Sequence, residues 1–225
     1  MSTYVISDTH FGHLNILAYE PVRLQMVCDY AKSHNLAENS SVELFDAFNE
    51  LYKDKDTPEV RAKLWKYVEW HTEMLVEEWN SVVRNDDTVY FLGDFTLSPS
   101  KEIIQRLTGR LRGSKVLIAG NHDVRKPKDY VELGWTYAIP FCKEEKRKSL
   151  EYQPGVHLMH IPPTKEEAEA NPNRIYIFGH VHGKHCDADD ELNCRCVCVE
   201  RQFGRPLDLD RLIMNIKERL AHGKE

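Results

Sequence analysis

The chain has 225 residues, 41% of them hydrophobic, and a formal net charge of −6. That is enough for one large domain with a sizeable core, or one domain carrying an insertion, and no apolar run approaches the roughly 20 residues a membrane span needs. The acidic balance argues against non-specific nucleic-acid binding, which rests on clustered Lys and Arg, and the opening MSTYVISD runs straight into a strand pattern with no signal peptide, so the expected location is the cytoplasm.

In chain order, TYVISDTH reads as a first strand ending in polar residues. A charged helical segment follows. Ser41–Lys53 reads as one helix, and Pro58–Val83 as a long amphipathic helix, or two with a break. The stretch at about 24–70 separates the first two strands by more than a crossover helix requires. We expect residues 1–225 to form a single domain with this stretch as a helical insertion, serving either substrate access or no chemistry at all.

DDTVYFLGDF is the second strand, and SPSKEIIQRLTGRL a helix opened by Ser and Pro. SKVLIAGNHD, VHLMHIPP and RIYIFGHVHG are three more strands. Each strand is a nearly continuous apolar run, the pattern of burial on both faces. DLDRLIMNIKERLA is a closing helix. Strands alternating with helices predict an α/β fold.

There are six cysteines: Cys28, Cys142, Cys186, Cys194, Cys196 and Cys198. The last three alternate, so on a strand they share one face and are poorly placed to bridge. Their spacing with Cys186 is not that of a zinc ribbon. We read them as small buried apolar residues on a core strand, clear of the metal site described next, with a redox or extra-metal role left open.

Each apolar strand delivers polar side chains at its end: Asp8-Thr9-His10, Gly93-Asp94, Gly120-Asn121-His122-Asp123, His160 and Gly179-His180-Val181-His182. Ligands of open α/β sheets bind beyond the carboxyl ends of the strands, so these groups should converge at one edge of the sheet. Asp8, His10, Asp94, Asn121, His160, His180 and His182 form a mixed N/O set that suits Mn, Fe, Zn, Ni or Co rather than calcium. They are too many for one ion and fit two if one carboxylate bridges. Two cations about 3.5–4 Å apart would clamp an oxygen nucleophile and a phosphate oxygen. A lone DxH or GD is nearly uninformative; the ordered combination carries the reading.

This combination resembles the five-part signature (DxH, GD, GNH[DE], H, GHxH) of the calcineurin-like metallophosphoesterase superfamily. The likeness is closer to its small bacterial and phage branch, through SDTHFGHLNI, EEWNSVV, DTVYFLGDF and LIAGNHD. It spans Met1 to about Pro206, apart from the insertion. The resemblance implies a four-layer α/β/β/α sandwich with the site at one rim. One divalent ion would be held by Asp8, His10, Asp94 and His182, the other by Asp94, Asn121, His160 and His180, with Asp94 and a hydroxide bridging. Mn is the first choice of metal, with Fe, Zn, Ni, Co or Mg as alternatives. His122 would be the general acid, with Asp123 holding its ring. His13 and Asn121 are expected on the substrate side, the alternative for His13 being a helix cap. Asn15, Arg23, Lys184 and His185 are weaker candidates near the rim.

The implied activity is phosphoester hydrolysis. A diester is favoured over a monoester because a single general acid suffices without extra cations to clamp a dianion. The alternatives are a phosphomonoesterase or nucleotidase, a nuclease, and a metal-bound scaffold without turnover. Arg23, Arg61, Lys63 and Lys66 form the loose basic cluster a nuclease would use. His122 and Asp123 argue against the scaffold. The expected partner is a phosphoester, with nucleotide derivatives among the choices; no membrane is expected, and nucleic acid is not favoured.

Overall fold

The computed structural model describes residues 1–98, 100–141 and 149–222. Cys142 lies outside them. Strands β1 (Thr3–Ile6), β2 (Thr88–Phe91), β3 (Ser114–Ile118) and β4 (Tyr137–Ile139) run parallel, while β5 (Ser149–Gln153), β6 (Val156–Met159), β7 (Ile175–Phe178) and β8 (Cys194–Cys196) build a second sheet in which only the β5–β6 pair is antiparallel. A two-residue strand, β9 (Leu207–Asp208), pairs antiparallel with β1, giving orders β4-β3-β2-β1-β9 and β5-β6-β7-β8.

The five apolar runs of the sequence are β1, β2, β3, β6 and β7. They do not share one sheet: the first three belong to one, the last two to the other. Nor are all five buried throughout. β7 (IYIF) is buried at every residue, whereas β2 (TVYF) alternates between buried and half-buried. β4 and β9 are too short to show a period, and β5 (SLEYQ) lies at a sheet edge, half-buried or exposed along its length.

Successive strand residues enter different cores, as the pleat requires. Val5 joins Ile118, Leu158 and Ile177 in a core shared by the two sheets, closed by Leu209, Ile213 and Ile216 of the C-terminal helix. Ile6 instead joins Phe91, Leu117 and the helices that follow β1. On the other side of β7, Phe178 packs with Met159, Cys194, Cys196 and Cys198.

Four helices lie between β1 and β2: α1 (Leu14–Tyr19), α2 (Pro21–Ser33), α3 (Ser41–Tyr52) and α4 (Pro58–Val82). Ser40 caps α3 reciprocally with Glu43. Pro21 and Pro58 stand at the first helical positions, where a missing N–H costs nothing. The boundaries expected at about 24 and 70 fall inside α2 and α4, because the helical segment is wider than the stretch read from charge. α4 is one continuous helix with buried residues at Leu64, Tyr67, Val68, His71, Leu75 and Trp79. The remaining helices are α5 (Lys101–Arg110), α6 (Pro127–Glu132), α7 (Lys165–Ala170) and α8 (Leu209–His222), which Asp208 caps by accepting from the Arg211 N–H. No helix among the described residues is long and apolar enough to cross a membrane.

Trp79 anchors α4 to the first sheet. Its ring is 1% exposed and lies 6.4 Å from that of Phe91, and its indole N–H donates to Arg112 O at 3.0 Å. Trp79→Ala removes both the packing and the hydrogen-bond partner of the Arg112 carbonyl. A loss of about 3–5 kcal/mol is expected in urea unfolding.

Candidate metal centre

The loops that carry the candidate donors continue the strand ladders past their ends. Asp8 N donates to Gly93 O (2.9 Å), His10 N to Asp94 O (3.1 Å) and Gly179 N to His160 O (3.0 Å). Ser7 N donates to Val197 O at 3.0 Å, which ties the end of β1 to the chain leaving β8. The two sheets therefore deliver their strand ends to one rim. The convergence is between sheets rather than along the edge of one.

Backbone geometry there is costly. Asp8, His10, Asp94, His180 and His182 have φ of 60°, 46°, 60°, 73° and 54°. Left-handed backbone costs a non-glycine residue roughly 1–2 kcal/mol, and such strain concentrates where the surroundings fix it for function. The motif glycines leave the room. A Cβ on Gly120 would lie 2.2 Å from Asp94 Oδ1, and one on Gly179 would lie 2.4 Å from Asp8 Oδ2.

Two groups of donors result. Asp8, His10 and His182 each offer an atom within 4.8 Å of the others, and so do Asp94, His160 and His180. Asp94 Oδ2 lies 3.7 Å from His10 Nε2 and 3.5 Å from His160 Nε2, between the groups. Asn121 Oδ1 lies 3.0 Å from His160 Nε2. Asp8 Oδ1 and His10 Nε2 are buried without a hydrogen-bond partner and stand 3.8 Å apart. Unpaired buried carboxylate and imidazole atoms facing one another fit a cation between them.

The electrostatics agree. Burial, then the Asp8 charge, pushes the Asp94 carboxyl up to about 8. Burial also acts against ionised Asp8, but nearby His10, His160 and His182 outweigh it and hold the carboxyl well below its usual range. Burial depresses His10 to about 4 and lowers His122 and His180. Neutral imidazoles keep a lone pair for a metal, and a cation would let both carboxylates ionise.

Outer contacts orient the candidate donors. His160 Nδ1 meets Leu92 O at 2.7 Å, leaving Nε2 to face the site. His182 Nδ1 meets Glu200 Oε1 at 3.1 Å, and Glu200 in turn accepts from Arg23. Burial lowers the His182 pKa, but the Glu200 hydrogen bond and the Asp8 charge more than reverse this. Glu200 was not signalled by the sequence, where it merely follows the cysteine run. His71, buried on α4 without a partner for either ring nitrogen, was likewise missed.

Several expectations need correction. Asp123 does not hold the His122 ring. Its carboxylate accepts from the N–H groups of Asp94 (2.7 Å), Gly120 (2.9 Å) and Phe95 (3.2 Å), so it fixes the Asp94 loop. Arg23 lies against the rim as expected but cannot face substrate, because it is fully buried and donates to Asp8 O and Thr9 O at 2.8 and 3.0 Å. It therefore leaves the loose basic cluster to Arg61, Lys63 and Lys66, which are exposed. The cysteine segment does touch the site, for Cys198 Sγ donates to Asp8 Oδ2 at 3.3 Å. Cys194, Cys196 and Cys198 are buried as expected.

His122 is 44% exposed, with Nε2 3.9 Å from Asp94 Oδ2. His13 begins α1 without capping it through its side chain, and its ring lies 5.8 Å from that of His10. Asn15 is engaged by the Tyr52 hydroxyl at 2.8 Å. Lys184 is exposed and gives its carbonyl to Arg201, while His185 turns to Asp189 and Asp190.

No protein-family model matches the chain. It is 29% identical over 220 residues to an uncharacterized protein of Methanocaldococcus jannaschii, covering 96% of this chain and 91% of that one. It is 44% identical over 136 residues to the gene 66 protein of Mycobacterium phage L5, covering 51% of this chain and 66% of the phage protein. A protein of unknown function from Aquifex aeolicus shares the fold, with a TM-score of 0.56 at 23% identity over 94% of this chain and 99% of that one.

If the two donor groups hold metal, titration with Mn²⁺ followed by elemental analysis should find two ions per chain, and Asp94→Asn should retain at most one. Glu200→Gln should weaken Mn²⁺ binding about 10–100-fold, the usual effect of losing an orienting partner. Undiminished binding in both variants would remove the assignment.

Proposed function

We propose that the protein is a dinuclear metal-dependent phosphoesterase of the calcineurin-like superfamily, acting on diesters in preference to monoesters. The observation that carries this is the place of Asp94 Oδ2, 3.7 Å from His10 on one side and 3.5 Å from His160 on the other. Asp8, His10, Asp94 and His182 would hold one ion, and Asp94, Asn121, His160 and His180 the second. Bound divalent ions supply a nucleophile at neutral pH and offset phosphate charge. The alternation of three apolar cores with two sheets supports the four-layer sandwich this reading implies.

His122 is the general acid. Its backbone N–H is fixed on Asp94 Oδ1 at 2.9 Å while its ring remains half-exposed, so it can reach a leaving oxygen without serving as a ligand. Asp123 acts through the backbone. By holding the N–H groups of Asp94 and Gly120 it keeps the bridging carboxylate and the His122 loop in register.

Protein loaded with Mn²⁺ should hydrolyse bis-p-nitrophenyl phosphate faster than p-nitrophenyl phosphate. His122→Ala should lower kcat on the diester by about 10²–10⁴-fold while retaining its metal. Failure to hydrolyse either compound with two ions bound would end the enzymatic reading, and full activity in the variant would end the role given to His122.

A further inference from the structure

Two clefts adjoin the metal centre. One of about 420 Å³ is lined by His122, Arg125, Lys126 and Tyr130. The other, of about 840 Å³, lies between α4 and α5 and is lined by Trp65, Trp70 and Glu69 from one helix and Ile103 and Arg106 from the other. Leu97 and Ser98 stand in the walls of both. Gly12 also lines the larger groove, one residue from His13 and two from His10. The larger groove thus opens beside the rim that carries the donors.

Its lining is unusual for a surface. Trp65 is 41% exposed, Leu36 47%, Leu97 37% and Ile103 37%, all around one depression. Charged groups border these apolar side chains: Glu69, Arg106, and Arg110 held by Glu73 at 2.9 Å. Arg110 and Glu73 satisfy each other, but a purely aliphatic occupant would leave Glu69 and Arg106 facing apolar surface. A flat heteroaromatic ring, apolar on its faces and polar at its edge, satisfies both sets. On the His122 side, Arg125 and Lys126 outweigh Asp129, which Lys101 meets at 3.7 Å, so the cleft suits an anion. The complementary ligand has a phosphate at one end and a ring-bearing body at the other.

We propose that the groove between α4 and α5 binds the nucleoside portion of a nucleotide phosphodiester, with Trp65 as the stacking surface. This rests on the phosphoesterase reading for the position of the phosphate, and assigns the helical segment the choice of substrate.

The test compares two diesters on Mn²⁺-loaded protein: thymidine 5′-(p-nitrophenyl phosphate) and methyl p-nitrophenyl phosphate, which lacks the nucleoside. The wild type should favour the first. In Trp65→Ala, and independently in Ile103→Glu, the ratio of kcat/KM values should fall about tenfold, the scale of one lost base–aromatic stack, chiefly through KM. Calorimetry with thymidine 5′-phosphorothioate should show a matching rise in Kd. An unmoved ratio and an unmoved Kd would overturn the proposal. So would variants that alter only the oligomeric state in sedimentation, which would make the groove a contact between copies of the chain. If the wild type hydrolyses neither diester, the phosphoesterase reading fails while calorimetry still decides the groove.

Discussion

The site depends on keeping one carboxylate, that of Asp94, buried between imidazoles with an oxygen free. Burial, then the Asp8 charge, disfavours its ionised form and pushes the carboxyl up to about 8, and the surrounding chain is arranged to fix it in place. Oδ1 accepts from His122 N at 2.9 Å, which leaves Oδ2 to His10 and His160. The backbone of Asp94 is gripped from both sides, its N–H by Asp123 and its carbonyl by His10 N. The left-handed φ of 60° at Asp94 turns its side chain out of the β2 ladder into this space. Gly93 and Gly120 are small because a Cβ on either would strike the opposite loop.

A second constraint comes from the helical segment. Arg23, fully buried on α2, reaches the carbonyls of Asp8 and Thr9 and pairs with Glu200, which orients His182. A buried ion pair is weak evidence for added stability, since desolvation offsets much of its attraction. Its value here is positional. A single guanidinium joins α2, the loop after β1 and the chain after β8. Removing it would leave the buried Glu200 with only the donor histidine His182 as a partner.

What the sequence reveals is what is local. A strand end followed by Asp, His or Asn is visible because the apolar run and the polar residue are neighbours in the chain, and glycine beside the ligand marks a tight turn. Thus the donor residues from Asp8 to His182 could be read directly. What the sequence hides depends on distant placement. Asp123 looks like a partner for adjacent His122, yet its carboxylate faces the loop after β2, which only the tertiary fold brings near. Glu200 and Arg23 are separated by more than the length of the helical segment, and nothing in either neighbourhood announces the other. Membership of two sheets is hidden for the same reason: parallel strands with similar patterns carry no label of their partner.

The helix α4 joins the strained, tightly held donor site to the surface groove. Its C-terminal half, from Met74 to Trp79, is embedded in the core behind β2. Its N-terminal half carries Trp65, Glu69 and Trp70 into the groove and packs on α2 and α3. A helix is stiff over such a length, so the groove is held in register with the donor loops without contributing a donor to them. If the groove binds as proposed, substitutions on the outward face of α4 would reshape what it accepts while Asp94, its neighbours and the left-handed turns stay fixed. On the proposed reading, this division would separate chemistry from recognition along one continuous element.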